Sequence, residues 1–335
     1  MIIEEFMMFD EYKDHDVSVY AGYLNDKEKL LQSTSGGLAT ALSEFWIDQG
    51  GYVAGVAYTV DFYSAEYILI NDKAEVGRLK GSKYFDCNKN NIYSSVKQLL
   101  DAGEKVLFFG LPCTVAALYK FVGSRHENLL TCELICHGPT HPKVHSDYVA
   151  FLEKKYGSKI VDFSVRYKEG AWTPAYLYAK FDNGEVFKKP FDRTEYGIGF
   201  YTLGKEPCYD CKFKGNNRQG DIMIGDFWGA KPEDEFWNEY GVSSIFAETE
   251  KGDTLLKAVP GIALFPTTFE RAVASNPMVI ASKRANGDRK KFSNLLLEKD
   301  LMYAVKHTQS FLKSKLKKLM PKKLKKIIKK AIGRR

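Results

Sequence analysis

Residues 105–117 read KVLFFGLPCTVAA, and this stretch constrains the fold more than any other. Val106 to Phe109 is an unbroken apolar run, the pattern of a strand covered on both faces in a parallel sheet. Gly110-Leu111-Pro112-Cys113-Thr114 breaks the run. From Val115 the spacing turns helical, with Val115, Leu118 and Val122 sharing a face. Cys113 is therefore expected on a tight turn at the carboxyl end of a strand, where open α/β sheets keep their ligand sites. A helix N-terminus at that point favours anions, thiolates included. The competing reading is a Cys packed as a small hydrophobe.

A second stretch repeats the pattern. Asn128 to Cys136 is an apolar strand, NLLTCELIC, that runs into Cys136-His137-Gly138-Pro139. Neighbouring parallel strands would set Cys113 and Cys136 side by side. Cys132, inside the strand, reads as core. His137 is a candidate proton donor or a neighbour of iron, against a hydrogen-bonded structural His. Pro207-Cys208-Tyr209-Asp210-Cys211 then supplies a C-x-x-C, which brings two sulfurs to one metal. Cys113 and Cys136 are the candidates for the remaining two ligands. A four-Cys zinc site, a redox dithiol and four unrelated thiols compete with this, since tetrahedral sulfur suits zinc as well as iron. Four-Cys zinc sites usually come as two local pairs. One pair with two distant single Cys fits an iron–sulfur cluster better.

Two further stretches have the composition of an anion site. Ser35-Gly36-Gly37 opens the helical pattern Leu38 to Gln49, and bare N–H groups at such a turn suit a phosphate. The alternative is an N-cap with glycines for close packing. Arg78-Leu79-Lys80-Gly81-Ser82-Lys83-Tyr84 is a basic loop able to clamp a pyrophosphate, or else a solvated turn. Gly51 to Val60 and Glu66 to Ile70 read as paired strands, and Asn91 to Ala102 and Lys143 to Tyr156 as helices. Ile160 to Tyr167 and Ala175 to Phe181 alternate as strands, and Asp182-Asn183-Gly184 is a hairpin turn. The strand at Asp221 to Ile224 leads into Gly225-Asp226-Phe227-Trp228-Gly229, whose aromatics are able to wall a flat ring or simply pack. Val242 to Ala247 reads as a strand, Gly252 to Val259 as a helix, and residues 260–310 as mostly helical. Residues 1–30 give no clear pattern.

Charge separates the body from the tail. The chain of 335 residues carries a formal +7, yet residues 311–335 hold 12 Lys and Arg and no acid, leaving 37 basic against 42 acidic residues elsewhere. A mildly acidic body argues against nucleic acid as a partner. In the tail, Leu312, Leu316, Leu319, Leu324, Ile327, Ile328 and Ile332 recur at helical spacing between lysines, with Pro321 splitting the run. That is the pattern of basic amphipathic helices on an anionic membrane surface, against a solvated tail. The acidic start does not resemble a signal peptide, and no apolar run is long enough to span a bilayer. A cytoplasmic chain, peripheral at the inner face of the membrane, is expected. Six Cys in such a chain suggest metal or redox chemistry more than disulfides.

Taken in order, Ser35-Gly36-Gly37 with Thr40, Lys80-Gly81-Ser82-Lys83-Tyr84, Gly110-Leu111-Pro112-Cys113, Cys136-His137-Gly138, Cys208-Tyr209-Asp210-Cys211 and Gly225-Asp226-Phe227-Trp228-Gly229 resemble the beta subunits of coenzyme F420 hydrogenases and dehydrogenases. The resemblance runs from about residue 33 to 230. It implies an α/β domain with FAD beside a 4Fe-4S cluster, and electron transfer between a hydride carrier, the flavin and iron–sulfur centres. It implies cluster ligands at Cys113, Cys136, Cys208 and Cys211. It implies flavin contacts at Ser35, Gly36, Gly37, Thr40, Lys80, Ser82 and Lys83. Family members usually begin with a ferredoxin-like segment rich in Cys, whereas Cys87 is the first Cys here. A separate ferredoxin or other electron carrier is therefore the expected partner. Bacterial relatives of this short form resemble proteins found with surface-polysaccharide synthesis.

The expectation is an α/β fold with a mainly parallel sheet, flanking helices, an inserted antiparallel section and a basic amphipathic tail. Its parts are residues 1–160 for the flavin, 161–300 with the C-x-x-C and Gly-Asp-Phe-Trp-Gly motifs, and the tail from 301 to 335. The expected function is a flavin- and iron–sulfur-dependent oxidoreductase, with His137 the candidate catalytic residue, serving a surface-polysaccharide pathway. A small hydride-carrying molecule is its other partner; deazaflavin is the family's best-known one. The rivals are a non-catalytic metal-binding scaffold of a polysaccharide assembly complex and a four-Cys zinc protein.

Overall fold

Val106–Gly110 is buried at every residue because both faces of this strand are covered. Leu107 and Phe109 pack with Leu38, Leu42 and Trp46 of the helix Leu38–Asp48. Val106 and Phe108 pack on the other side with Val96 and Leu100 of the helix Ile92–Asp101 and with Val115 and Leu118 of the helix Pro112–Val122. Alternate residues therefore serve opposite layers, and no polar face is left for water.

The computed structural model describes residues 17–308. Its strands, in chain order, are β1 (Ser18–Leu24), β2 (Tyr52–Tyr58), β3 (Ala65–Ile70), β4 (Val106–Gly110), β5 (Leu129–Leu134), β6 (Ile160–Tyr167), β7 (Tyr176–Phe181), β8 (Val186–Pro190), β9 (Ile222–Asp226), β10 (Ser243–Ala247) and β11 (Ile262–Pro266). Eight of them form one sheet in the order β11-β1-β10-β9-β5-β4-β2-β3. The central run β2-β4-β5-β9 is parallel. Antiparallel strands extend it on both sides. The fold is mixed α/β, with a large sheet built around a parallel core and flanked by helices.

The inserted antiparallel section is a separate three-stranded sheet, β6-β7-β8. Gly184, at φ 84°, closes the Asp182-Asn183-Gly184 hairpin between β7 and β8. Phe163, Val165, Leu177 and Phe181 pack with Val144, Tyr148 and Leu152 of the helix Pro142–Tyr156. Phe292, Leu301 and Ala304 join the same core, so the helix Leu301–His307 belongs to the body of the protein.

Two expectations change. Residues 260–310 are not simply a helical stretch, because Ile262–Pro266 is an edge strand paired with β1. Residues 1–30, which showed no pattern, contain β1, an inner strand between β10 and β11. Strands β9, β10 and β11 lie in the same sheet as β1 to β5, so a boundary at residue 160 passes through one continuous sheet. No helix among the described residues is long and apolar enough to cross a membrane. The tail from 311 to 335 lies outside the described residues.

Candidate functional site

A cavity of about 620 Å³ opens at the carboxyl ends of the four parallel strands. That size falls within the range of roughly 300–1,000 Å³ usual for cofactor sites. One wall is the turn before the helix Leu38–Asp48. Ser35 and Gly37 both take positive φ there, 50° and 78°. No side chain caps this helix, and Gly37, Leu38, Ala39 and Thr40 line the cavity. The uncapped end of the helix therefore turns its positive pole toward the cavity. Gly36 lies behind this wall, where its N–H donates to Ser243 Oγ at 2.9 Å. A Cβ on Gly36 would stand 2.2 Å from the Gly22 carbonyl oxygen, so no larger residue fits. Thr40 is buried, its hydroxyl 2.9 Å from Ser33 Oγ.

The basic loop forms the adjoining wall, with Lys80, Ser82 and Lys83 all facing the cavity. Lys80 Nζ donates to Gln32 Oε1 at 3.3 Å. Lys83 Nζ donates to the carbonyls of Leu79 at 3.2 Å and Lys80 at 2.8 Å, capping the short helix Val76–Leu79. Burial brings its pKa down to about 7. Lys83 thus supports the loop from within. The Lys80 head is half-buried beside Gln32, and burial lowers its pKa.

Four cysteines gather around the place where Cys136 lines the cavity. β4 and β5 are parallel neighbours, as their shared pattern suggested, and each carries a Cys just past its carboxyl end. Cys113 is the second residue of the helix Pro112–Val122 and is exposed. Cys136 lines the cavity, and its sulfur accepts the Gly138 N–H at 3.2 Å. Gly138 takes φ 80°, and a Cβ there would lie 2.8 Å from Cys208 Cβ, so the Cys136 turn and the C-x-x-C segment touch. Cys211 N–H donates to Ser282 Oγ at 3.0 Å. Burial pushes the Cys208 thiol up to about 11, with Cys136, Cys113 and Cys211 adding to the rise. Burial also raises Cys136, where Cys113 and Cys211 add again. The four thiols therefore bear on one another as a single group. Cys132 is fully buried inside β5, and Cys87 lines the cavity apart from this group.

Four grouped thiols are the donor type of an iron–sulfur cluster. Among the described residues no three Cys, His, Asp or Glu side chains stand close enough to hold one metal ion. A cluster gives each thiolate its own iron and so accepts a wider spacing than a single tetrahedral ion. A cation among the sulfurs reverses the thiol shifts, because it stabilises the thiolates that crowding disfavours.

Comparison with known proteins settles the family. The model for the N-terminal part of the coenzyme F420 hydrogenase/dehydrogenase beta subunit matches residues 19–91, and the model for its C-terminal part matches residues 103–262. The chain belongs to the coenzyme F420 hydrogenase/dehydrogenase beta subunit family. It is thus a member of a family of redox enzyme subunits. The F420-reducing NiFe hydrogenase complex of Methanosarcina barkeri contains a chain of similar fold, with a TM-score of 0.53, 15% identity, and coverage of 84% of this chain and 93% of that one. No curated protein matches the chain. The turn at Ser35 and the Lys80 loop fall in the part matched by the N-terminal model, and all four clustered Cys in the part matched by the C-terminal one.

Within this family member, the cavity holds a polar network that the sequence did not reveal. Arg166 reaches in from β6 and grips Asp226 with two bonds, at 2.7 and 3.1 Å. Ser35 Oγ donates to the same carboxylate, and Trp228 Nε1 donates to it at 3.1 Å. Burial opposes ionisation of Asp226, but Arg166 and these hydrogen bonds outweigh it and hold the carboxyl below its usual range. Lys168 Nζ donates to the carbonyls of Leu30 at 2.8 Å and Ser35 at 2.6 Å. The strained Ser35 is thereby held by both its hydroxyl and its carbonyl. The Gly225-Asp226-Phe227-Trp228-Gly229 motif drew attention to this place through its aromatics, yet Phe227 is core and Asp226 is the hub. His137 lies 5.0 Å, ring to ring, from Trp228. Burial first, and then the Lys214 charge, bring its pKa down to about 4, so the imidazole is uncharged at neutral pH.

Proposed function

We propose that this chain is a flavin- and 4Fe-4S-dependent oxidoreductase that passes electrons between a hydride carrier, FAD and the cluster. The observation that supports this reading is a group of four thiols that bear on one another, one of which, Cys136, lines the same cavity as an uncapped helix N-terminus. Ser35, Gly37, Thr40, Lys80 and Ser82 would hold the flavin's phosphate end, with Gly36 and Lys83 shaping the turn and loop behind them. Cys113, Cys136, Cys208 and Cys211 would hold the cluster. A bound flavin supplies hydride chemistry and a cluster supplies single-electron chemistry. The chain's own part is to fix both beside each other, to screen them from water, and to offer the neutral imidazole of His137 at the cavity wall.

The test is the absorbance spectrum and iron content of protein purified without oxygen. Flavin bands near about 450 nm over a broad shoulder, with roughly four irons per chain, are expected. A colourless protein with zinc or no metal would sink the redox reading and leave the scaffold or zinc alternatives.

The electron partner we propose is a separate ferredoxin or similar carrier. Cys113 supports this, since it is the exposed member of the thiol group and offers a short path from solvent to the cluster. The setting we propose is surface-polysaccharide synthesis at the inner face of the membrane, on the tail's charge pattern and the family resemblance. Removing residues 311–335 is expected to abolish co-sedimentation with anionic vesicles and to leave binding to neutral vesicles as weak as before. Full retention on anionic vesicles without the tail would refute the anchoring role.

A further inference from the structure

Two ammonium groups are built into the walls of the four-Cys site. The Lys283 side chain threads a slot between two glycines. A Cβ on Gly204 would meet its Cδ at 2.7 Å and its Nζ at 3.1 Å, and a Cβ on Gly138 would meet its Cδ at 3.4 Å. The slot therefore exists only because both positions lack a side chain. Lys283 N–H donates to the Cys208 carbonyl at 3.2 Å, so its backbone is tied to the C-x-x-C segment. Its Nζ donates to the Phe200 carbonyl at 2.8 Å and stands 4.8 Å from the Phe200 ring centre. Lys214 comes from the other side, its Nζ donating to the Cys136 carbonyl at 2.6 Å and to the Met278 carbonyl.

Burial lowers the pKa of both lysines, that of Lys283 to about 8, and at Lys283 the Cys208 and Cys136 thiols act against this. At Lys214 the Cys136, Cys211 and Cys208 thiols do the same, while Arg218 adds to the lowering. Surface lysines of this chain, such as Lys97 and Lys257, pair with an aspartate four residues away. Lys214 and Lys283 instead spend their donors on carbonyls, that of Cys136 among them. This arrangement ties two ammonium groups to the walls of the four-Cys site.

We propose that Lys283 and Lys214 are positioning residues that act as the fixed counter-charges of the cluster and raise its reduction potential. The proposal rests on the reading of the four Cys as a cluster site. Four thiolates outweigh the positive charge of an iron–sulfur core, so the loaded site is anionic. Each electron it takes from the flavin or the partner carrier adds one more negative charge, with no bond made or broken. Placing that charge in a half-buried site is costly, and nearby fixed cations lower the cost. Net charge and hydrogen bonding around a cluster are among the main settings of its potential.

The test compares wild type with Lys283→Met, Lys283→Arg and Lys214→Met, each purified without oxygen. The midpoint potential of the cluster is read by electron paramagnetic resonance during a redox titration. Methionine keeps the stem in the glycine slot and removes the charge. A shift to lower potential is expected for both methionine variants at unchanged iron content, with the arginine variant close to wild type. Loss of iron from Lys283→Met alone, with Lys283→Arg loaded, also supports a requirement for charge. Unchanged potentials in both methionine variants at full iron content would overturn the proposal. So would equal loss of iron from Lys283→Met and Lys283→Arg, since shape rather than charge would then decide. A wild-type protein without an iron–sulfur signal would instead remove the oxidoreductase reading beneath it.

Discussion

Serine at Cys208 is expected to strip the protein of iron, taking it from roughly four atoms per chain to near none. Three features make this position decisive. Its thiol is the one that all three other clustered cysteines act on. Its Cβ lies against Gly138, so it joins the C-x-x-C segment to the Cys136 turn. Its backbone carbonyl is held by Lys283. Serine keeps the shape but is a poor ligand for iron beside sulfur donors. Cys211→Ser, Cys136→Ser and Cys113→Ser should follow it. Cys132→Ser and Cys87→Ser are the controls, because neither belongs to the thiol group, and both should keep their iron. The measurement is iron per chain after anaerobic purification, with circular dichroism to show that each variant is folded. Full iron in Cys208→Ser would remove this residue from the ligand set.

Alanine at Arg218 is expected to destabilise the fold by about 3–5 kcal/mol, a large share of a typical domain's net stability. Arg218 and Glu133 form an ion pair at 3.3 Å with side chains only 2% and 1% exposed. Glu133 Oε1 also accepts the N–H groups of Gln219 at 3.1 Å and Gly220 at 2.9 Å, and Arg218 Nη2 donates to the Val279 carbonyl at 2.8 Å. A lone Glu133 carboxylate would stay buried with its countercharge gone. Replacing both residues with apolar ones of similar volume should cost less than the single change, because no uncompensated charge remains. Urea unfolding of the two variants decides this. A loss under about 1 kcal/mol for Arg218→Ala would show that water reaches the carboxylate.

The parts legible in the sequence were those with a strong local pattern. The run Val106 to Phe109, the turn at Cys113 and the helix after it were readable because each face of that strand meets a hydrophobic layer. The hairpin at Asp182-Asn183-Gly184 was readable because one dipeptide, Asn-Gly, settles the backbone. β1 was not, because its burial comes from partners more than 200 residues away, at Ser243 to Ala247 and Ile262 to Pro266. Arg166 escaped notice for a related reason. In an alternating strand a charged residue reads as a solvent position, but the β6–β7 pairing shifts register between Ser164 and Tyr167. Alternation cannot foresee a bulge. Lys83 shows the converse, since its charge and its glycine-rich setting were visible while the carbonyls it caps were not.

Arg166 and Lys168 stand two positions apart, at the end of β6 and just beyond it. One grips Asp226, at the tip of the last parallel strand, and the other grips the carbonyls of Leu30 and Ser35, ahead of the first long helix. The small sheet is therefore bolted at a single corner to two neighbouring parts of the cavity wall, which the Ser35–Asp226 hydrogen bond already joins. A torque on it is shared by both bolts, and neither part can slide without turning the sheet. The position of that corner of the wall and the tilt of the small sheet are one mechanical coordinate rather than two.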